Sequence, residues 1–190
     1  MTHSRPIRTS DTHPIRIDAV LPAEGWGKIG MSFCPGKQQV DGLSGHWARD
    51  LHADLIRVRD WGAAMFVSLV EEHEFAELQV QTLPLAVAST GMVWRHLPIR
   101  DRYPPSAKFE ERWGQVGEEI VHTLKAGHNV FIHCKGGLGR TGTVAACLLI
   151  EAGYVAEAAI NEVRRARART IETAVQEWYV LQYRARFGDG

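Results

Sequence analysis

Hydrophobic residues in the printed sequence follow two alternating patterns, short continuous runs and runs at helical spacing. The continuous runs predict strands at 15–20, 28–33, 64–70, 92–97 and 128–133. Spacing of three or four residues predicts helices at 46–61, 107–125, 141–151, about 155–168 and 173–187, with a short helix at 71–78. Residues 83–88 are predicted to form another segment packed on the sheet. Strands that alternate with helices are typical of an α/β domain with a mainly parallel central sheet flanked by helices.

The segments outside this pattern are the N-terminus and one Gly- and Pro-rich stretch. Residues 1–14 are polar, contain two prolines and show no periodicity, so they predict a flexible N-terminal arm. Residues 34–45 predict a loop. No internal repeat, low-complexity tract or linker divides the remainder. We therefore expect residues 15–190 to form a single domain, a size that suits one hydrophobic core.

Composition narrows the class of protein without naming its chemistry. Lys and Arg number 22 and so do Asp and Glu, a balance that argues against a protein built to coat nucleic acid or an anionic membrane. No apolar run approaches the roughly 20 residues that span a bilayer, and the first residues lack the apolar stretch of a secretory signal. Three distant cysteines, Cys34, Cys134 and Cys147, do not suit a disulfide scaffold. We expect a reducing, cytoplasmic setting.

The stretch VFIHCKGGLGRTGT, residues 130–143, carries the chemistry. A buried strand ends at His133, a tight loop begins at Cys134, and Arg140 opens a helix. The glycines let successive backbone N–H groups converge on one point in front of a helix N-terminus, which is an arrangement suited to a phosphate. It is not a Walker loop, because the Gly-Lys-[Ser/Thr] ending is missing.

Cys134 and Arg140 would bind and attack that phosphate together. The helix end and Arg140 favour the thiolate form of Cys134. The Arg140 guanidinium can hold two phosphate oxygens in a bidentate fork, which a lysine cannot reproduce. Cys34 can either approach Cys134 as a resolving thiol under oxidation or serve a structural purpose.

A thiolate that attacks phosphorus also needs a proton donor for the leaving group. Asp101, in the loop PIRDRYPP after a predicted strand, is the best candidate for this acid and for the base that activates water afterwards. Thr141 can donate a hydrogen bond to the sulfur and ease its departure. This chemistry requires no metal and no cofactor.

These motifs resemble those of a known family. HCKGGLGRT matches the Cys-x5-Arg-[Ser/Thr] signature of cysteine-based protein phosphatases. With VAACLLIEAG downstream, it is similar to the kinase-associated phosphatase group (the cyclin-dependent kinase inhibitor 3 family) among the dual-specificity phosphatases. The resemblance extends to CPG at 34–36, PIRD at 98–101 and IETAVQ at 171–176, and so covers residues 28–183.

The resemblance implies a role for each matching residue. Cys134 would be the nucleophile, Arg140 the phosphate clamp, Asp101 the general acid and Thr141 the hydroxyl that assists hydrolysis, while His133 would orient the loop and tune the nucleophile. Gln176 would help to place the hydrolytic water, although Glu172 stands where the family commonly has the first glutamine of that loop. The phosphate-binding set would be Lys135, Gly136, Gly137, Leu138, Gly139 and Arg140.

The predicted function is therefore hydrolysis of protein phosphotyrosine, phosphoserine or phosphothreonine through a cysteinyl-phosphate. We expect a monomer acting on a phosphorylated protein, with a kinase among the candidate partners and neither nucleic acid nor a membrane as partner. Three alternatives stay open: a phosphatase of an inositol phosphate or phospholipid, a non-catalytic phosphate-binding module, and a sulfur-transfer enzyme. The chain has no NRY segment of the phosphotyrosine-clamping kind, so the preference among phosphorylated residues also stays open.

Overall fold

Two sheets and seven helices form the protein, in a computed structural model that describes residues 6–42 and 45–188. The strands are β1 (Ile7–Arg8), β2 (Asp18–Val20), β3 (Ile29–Ser32), β4 (Gln38–Gly42), β5 (Gly45–Ala48), β6 (Ala63–Ser68), β7 (Val93–His96) and β8 (Asn129–His133). The helices are α1 (Leu51–Asp60), α2 (Glu72–Glu77), α3 (Leu83–Ser89), α4 (Ala107–Lys125), α5 (Gly139–Glu151), α6 (Ala156–Ala166) and α7 (Ala174–Gln182).

The central sheet has five strands in the order β2-β3-β8-β6-β7. β2 pairs with β3 in the antiparallel direction, and the other three pairings are parallel. Val130 of β8 is in register with Ile29 of β3 on one side and with Met65 of β6 on the other. The predicted α/β class with a mainly parallel central sheet is confirmed. In such sheets the carboxyl ends of the strands are where ligands bind.

Hydrophobic side chains on the central strands alternate between two cores, as the period of two in a strand requires. Val130 and Ile132 of β8 belong to the core that α4, α5, α6 and α7 cover. Phe131, between them, belongs to the core that α1, α2 and α3 cover. Every residue of α5 is buried, which explains the apolar run in its sequence. Burial on both faces holds β8 rigidly at the centre of the sheet.

The small sheet β1-β5-β4 differs from the sequence-based prediction. Residues 46–48 belong to β5 rather than to the predicted helix 46–61, which begins at Leu51. β4 occupies part of the predicted loop 34–45, of which residues 43 and 44 lie outside the described residues. Both strands are short, and β5 also pairs with the distant β1, so local periodicity does not reveal them.

The described part of the predicted N-terminal arm is attached to the domain. Residues 1–5 lie outside the described residues, whereas β1 pairs in parallel with β5. The Arg49 Nη1 group donates to the carbonyl of His13 at 2.8 Å, and the Asp50 N–H donates to Ser10 Oγ at 2.9 Å. Backbone pairing and these hydrogen bonds therefore attach residues 6–14 to the domain, where the sequence predicts a flexible arm.

The remaining helices lie close to their predicted positions. α4 covers residues 107–125 as predicted, and the Ser106 side chain accepts a hydrogen bond from Phe109 N–H at its first turn. α5 begins at Gly139, two residues before the predicted start, and α7 ends at Gln182 rather than at residue 187. Among the described residues, no helix is both long and apolar enough to cross a membrane.

Candidate active site

The loop between β8 and α5 brings the predicted site residues to the carboxyl end of the central strand. Gly137 adopts a φ of +70°, in the left-handed region that favours glycine. A Cβ atom at Gly137 would lie 2.2 Å from the carbonyl carbon and oxygen of Ser32, the last residue of β3. The loop therefore turns tightly against the neighbouring strand because residue 137 has no side chain.

Cys134 lies at the base of this loop, and its residue surface is only 3% exposed. Its Sγ atom accepts a hydrogen bond from the Gly137 N–H at 3.2 Å. The N-terminus of α5, at Gly139, follows two residues later. A backbone donor and a helix N-terminus both stabilise negative charge on sulfur, so the loop is built to hold a thiolate.

Arg140 lies beside the loop and is held by protein groups on several sides. Its Nη2 atom is 3.0 Å from Glu74 Oε1 and 3.0 Å from Asp101 Oδ1. Its Nη1 atom donates to a second Glu74 oxygen and to the carbonyl of Ile99. Its Nε–H has no hydrogen-bond partner among the described residues. The guanidinium is thus oriented by the protein and keeps one donor for a ligand.

Glu74, which sequence reasoning missed, is the residue that orients Arg140. Its residue surface is 2% exposed, and both of its carboxylate oxygens bind the guanidinium. Burial acts to raise the pKa of Glu74, but the hydrogen bonds from Arg140 outweigh it and the pKa is lowered. The segment EEHEFAEL contains four acidic residues, and only the fold shows which of them faces inward.

Asp101 reaches the same site from the loop after β7. Its side chain is 54% exposed, while its Oδ1 atom lies 3.0 Å from Arg140 Nη2. A group that exchanges protons with a leaving group and then with water must be near the phosphate and open to solvent. The structure therefore brings Asp101 to Arg140 with its side chain open to solvent, and its role as proton donor stays a prediction.

Thr141 is fully buried in the first turn of α5. Its Oγ1 atom has no hydrogen-bond partner among the described residues, and so it does not contact the sulfur of Cys134. The predicted hydrogen bond from this hydroxyl to the sulfur stays a prediction. A buried hydroxyl without a partner is costly, which is consistent with a partner that forms during the reaction.

His133 connects the loop to the interior of the sheet. Its Nδ1 atom lies 3.1 Å from the carbonyl oxygen of Cys134, and its Nε2 atom lies 2.8 Å from Ser68 Oγ. Because a carbonyl oxygen only accepts, Nδ1 carries the proton and Nε2 accepts from the Ser68 hydroxyl, which itself accepts from Trp94 Nε1 at 3.0 Å. Burial lowers the pKa of His133 to about 3, which fits this neutral tautomer.

Gln176 connects the loop that carries Asp101 to the segment that precedes α7. It is fully buried, its Oε1 atom accepts from the Glu172 N–H at 3.0 Å, and its Nε2 atom donates to the carbonyl of Tyr103 at 3.3 Å. These bonds use both ends of the amide for structure, so the water-placing role of Gln176 stays a prediction. Glu172 does reach the loop, where its Oε2 atom accepts from the Gly139 N–H at 2.9 Å.

Arg167 is a second residue that sequence reasoning missed. Its Nε atom donates to the carbonyl of Gly137 at 2.6 Å and its Nη2 atom to that of Gly136 at 3.3 Å. Its Nη1 atom pairs with Asp18 Oδ2 at 2.7 Å. Arg167 therefore fixes the orientation of the Gly136 and Gly137 carbonyls in the loop. Arg167 lies within the run RRARAR, where nothing local distinguishes it from its neighbours.

Cys34 and Lys37 lie behind the loop. The Cys34 N–H donates to the carbonyl of Lys135 at 3.3 Å, and burial raises the pKa of its thiol. Lys37 is 3% exposed, its Nζ atom is 4.3 Å from the centre of the Trp47 ring, and burial lowers its pKa to about 8. A buried neutral thiol is a weak nucleophile, so this environment favours a structural purpose for Cys34.

Comparison with known families identifies similar sequences. The profile of a family described as "Polymorphic toxin system, DSP-PTPase phosphatase" matches residues 42–154. Cyclin-dependent kinase inhibitor 3 of Rattus norvegicus is 30% identical over 142 residues, which cover 72% of this chain and 64% of that protein. A phosphatidylglycerophosphate phosphatase of Arabidopsis thaliana is 28% identical over 132 residues, which cover 69% of this chain and 37% of that protein. The chain thus spans less than two thirds of the length of these relatives.

Solved structures show the same arrangement of elements. A kinase-associated phosphatase whose catalytic-site cysteine is replaced by serine superposes with a TM-score of 0.76 at 26% identity, covering 88% of this chain and 92% of that chain. Tk-PTP in its active form superposes with a TM-score of 0.63 at 28% identity, covering 87% and 94% of the two chains.

Proposed function

This chain belongs to the dual-specificity and tyrosine phosphatase (DSP-PTPase) family, and from that membership we propose that it hydrolyses phosphomonoesters of proteins through a cysteinyl-phosphate intermediate. One observation carries the proposal above the others. The Cys134 sulfur lies at the base of a loop of backbone donors, and the Arg140 guanidinium is fixed beside it by Glu74. A nucleophile and an oriented cation at one site are what phosphoryl transfer needs.

The first half of the reaction transfers the phosphoryl group to sulfur. The Cys134 thiolate attacks phosphorus, and the bond from phosphorus to the substrate oxygen breaks. Asp101 gives its proton to that oxygen, which leaves as an alcohol or a phenol. Arg140 and the N–H groups of residues 135–139 stabilise the negative charge on the transferred group.

The second half returns the enzyme to its starting state. The Asp101 carboxylate takes a proton from water as the water attacks phosphorus. The bond from sulfur to phosphorus breaks, inorganic phosphate is released and the Cys134 thiolate is restored. Thr141 donates a hydrogen bond to the departing sulfur, and Gln176 contributes to the placement of the water.

The proposed substrate is a phosphorylated protein, with phosphotyrosine, phosphoserine or phosphothreonine as the reacting group. The similarity to proteins named cyclin-dependent kinase inhibitor 3 and kinase-associated phosphatase supports a kinase among the partners. We place the reaction in a monomer, with residues 15–190 as the catalytic domain. A reducing, cytoplasmic compartment fits a mechanism that needs Cys134 as a free thiolate.

A phosphatase of phospholipids or inositol phosphates is the second candidate. The similarity to the phosphatidylglycerophosphate phosphatase of Arabidopsis thaliana supports it. Initial rates on phosphotyrosine and phosphothreonine peptides, set against those on phosphatidylglycerophosphate vesicles and soluble inositol phosphates, separate the two. If kcat/KM is higher for the lipid or for inositol phosphates than for either peptide, the proposed protein substrate is wrong and the second candidate takes its place.

The proposed mechanism is tested with p-nitrophenyl phosphate between pH 5 and 8 in the presence of EDTA. We expect the wild-type protein to turn over with a bell-shaped pH profile, and Cys134→Ser to lose turnover while it still binds inorganic phosphate. Cys147→Ala, in the buried helix α5 and outside the loop, is the matched control and keeps its activity. Turnover by Cys134→Ser, or loss of wild-type activity with EDTA, would contradict the mechanism.

A further inference from the structure

The carboxylate of Glu172 occupies one donor of the phosphate-binding loop. Glu172 Oε2 accepts a hydrogen bond from the Gly139 N–H at 2.9 Å. Gly139 is both the last loop residue before Arg140 and the first residue of α5. Its N–H is therefore both a backbone donor of the loop and part of the positive end of a helix. Such a donor binds an anion strongly.

The position of Glu172 is fixed by neighbours on two segments. The Glu172 N–H donates to Gln176 Oε1, and Gln176 in turn holds the carbonyl of Tyr103. The Thr173 hydroxyl donates to the carbonyl of Arg102 at 3.1 Å. These bonds hold the backbone of Glu172 against the loop that carries Asp101. From this fixed position the Glu172 side chain contacts Gly139.

The approach of the carboxylate depends on glycine at position 139. A Cβ atom at that position would lie 2.6 Å from Glu172 Oε2 and 2.8 Å from Gln176 Oε1. Any side chain at residue 139 would push both groups away. The loop accepts the carboxylate of Glu172 this closely because residue 139 has no side chain.

The charge of Glu172 has no cationic partner among residues 6–42 and 45–188. Arg140, beside the loop, pairs with Glu74 and Asp101 instead. A phosphate in the loop would therefore meet an unneutralised carboxylate at the same N–H. Two anions that share one donor repel each other, and only one of them can make the hydrogen bond.

We propose that Glu172 is a specificity-determining residue that competes with the substrate phosphate for the Gly139 N–H. The inference rests on the proposed function and names what limits binding at that site. A phosphate group alone binds weakly, so a productive substrate gains affinity from contacts beyond the phosphate. The product, inorganic phosphate, has no such contacts and is expelled readily after hydrolysis.

Inhibition by inorganic phosphate tests this competition. The inhibition constant is measured during hydrolysis of p-nitrophenyl phosphate by the wild-type protein, Glu172→Gln and Glu172→Ala. Glu172→Gln keeps an oxygen acceptor for Gly139 and removes the charge. We expect phosphate to inhibit Glu172→Gln about 5-fold more strongly, the effect of removing one unit charge about 4 Å away in water. Glu172→Ala should respond at least as strongly, because alanine also frees the Gly139 N–H. Glu157→Gln, exposed in the first turn of α6, is the matched control.

The outcomes separate this inference from the proposed function. A purely structural role for Glu172 would weaken phosphate binding in the variants, and an inhibition constant that is unchanged or increased in either variant overturns the inference. In that case wild-type turnover leaves the proposed function in place. If the wild-type protein neither hydrolyses p-nitrophenyl phosphate nor binds inorganic phosphate in calorimetry, the proposed function fails, and with it the inference that rests on it.

Discussion

Arg140 shows how single residues prepare the site before a phosphate binds. Its two terminal nitrogens engage Glu74, Ile99 and Asp101, and its side chain is 1% exposed. A free arginine side chain would lose several rotatable bonds when it clamps a ligand, and here that entropy has been lost on folding. The cost of burying the guanidinium is offset by Glu74, because a buried charge needs a paired partner.

His133 gives the protein a dependence of stability on pH. Its pKa is lowered to about 3 by burial, against an ordinary value of 6.5, so the unfolded chain binds a proton between these values and the folded chain does not. The free energy of unfolding therefore rises with pH across this window and falls as the pH drops below 6.5. From pH 7 to pH 5 this residue alone removes about 2 kcal/mol.

Urea unfolding of the wild-type protein and of His133→Asn at pH 7 and pH 5 measures this contribution. We expect the difference between the two pH values to be about 2 kcal/mol smaller in His133→Asn, whatever its starting stability. The exposed His122→Asn is the matched control on α4. An equal pH dependence in wild type and His133→Asn would show that the imidazole is already protonated in the folded state.

A sequence reveals a site residue most readily when the residues it contacts are close to it along the chain. Cys134 and Arg140 are six positions apart in one loop, so spacing alone places them together. Glu74 and Arg167 act on that loop from 66 and 30 residues away. Their partners are chosen by the packing of α2 and by the segment after α6, and no local pattern encodes that choice.

At the scale of elements, the loop between β8 and α5 is shaped as much by what surrounds it as by its own residues. Arg167 holds its carbonyls from one side, and the end of β3 closes against Gly137 from the other. The Cys34 N–H, just after β3, also donates to the carbonyl of Lys135 in the loop at 3.3 Å. The conformation of the loop is therefore a property of three elements packed together.

Gly137→Ala tests the close contact between the loop and β3. The new methyl group would lie 2.2 Å from Ser32 and would displace the loop, so we expect kcat/KM for p-nitrophenyl phosphate to fall about 100-fold. Gly91→Ala is the matched control, because Gly91 also has a positive φ of 83° but has nothing within 4 Å of the added Cβ. It should cost about 1 kcal/mol of stability and keep its activity. Equal activity in both variants would contradict a steric role for Gly137.

The elements that periodicity predicts best are those whose hydrophobic pattern is long. α4 has 19 residues, and both of its bounds are predicted correctly. The predicted strand 128–133 differs from β8 by one residue at its start. β1 and β5 have two and four residues and pair with each other across about 40 positions. Such short strands are stabilised by their partners rather than by their own sequence, so residues 46–48 are wrongly assigned to a helix.

At the scale of the whole molecule, one buried ion pair joins the N-terminal segment to the body of the domain. Arg49 and Asp54 have fully buried side chains 2.7 Å apart. Arg49 also donates to the carbonyl of His13, and Asp54 Oδ2 accepts from the Gly36 N–H at 2.9 Å. The pair therefore ties together residues 9–13, the loop after β3 and α1.

Asp54→Asn tests how much stability this connection supplies. Removing one charge leaves Arg49 buried without its counter-ion, so we expect the free energy of unfolding to fall by about 3 kcal/mol. Asp60→Asn breaks an exposed pair with Arg59 on the same helix and should change stability by less than about 1 kcal/mol. Equal effects of the two variants in urea unfolding would show that the buried pair is not a structural tie.

The central place of β8 makes the completion of its loop depend on residues that are synthesised later. The strand is inserted between β3 and β6, and its loop is completed by Arg167, which leaves the ribosome some 30 residues after Cys134. A growing chain that ends before residue 167 carries the cysteine without the arginine that fixes its loop. Contacts of such long separation form late in folding. We therefore expect the loop around Cys134 to stay incomplete until the segment after α6 has packed against it.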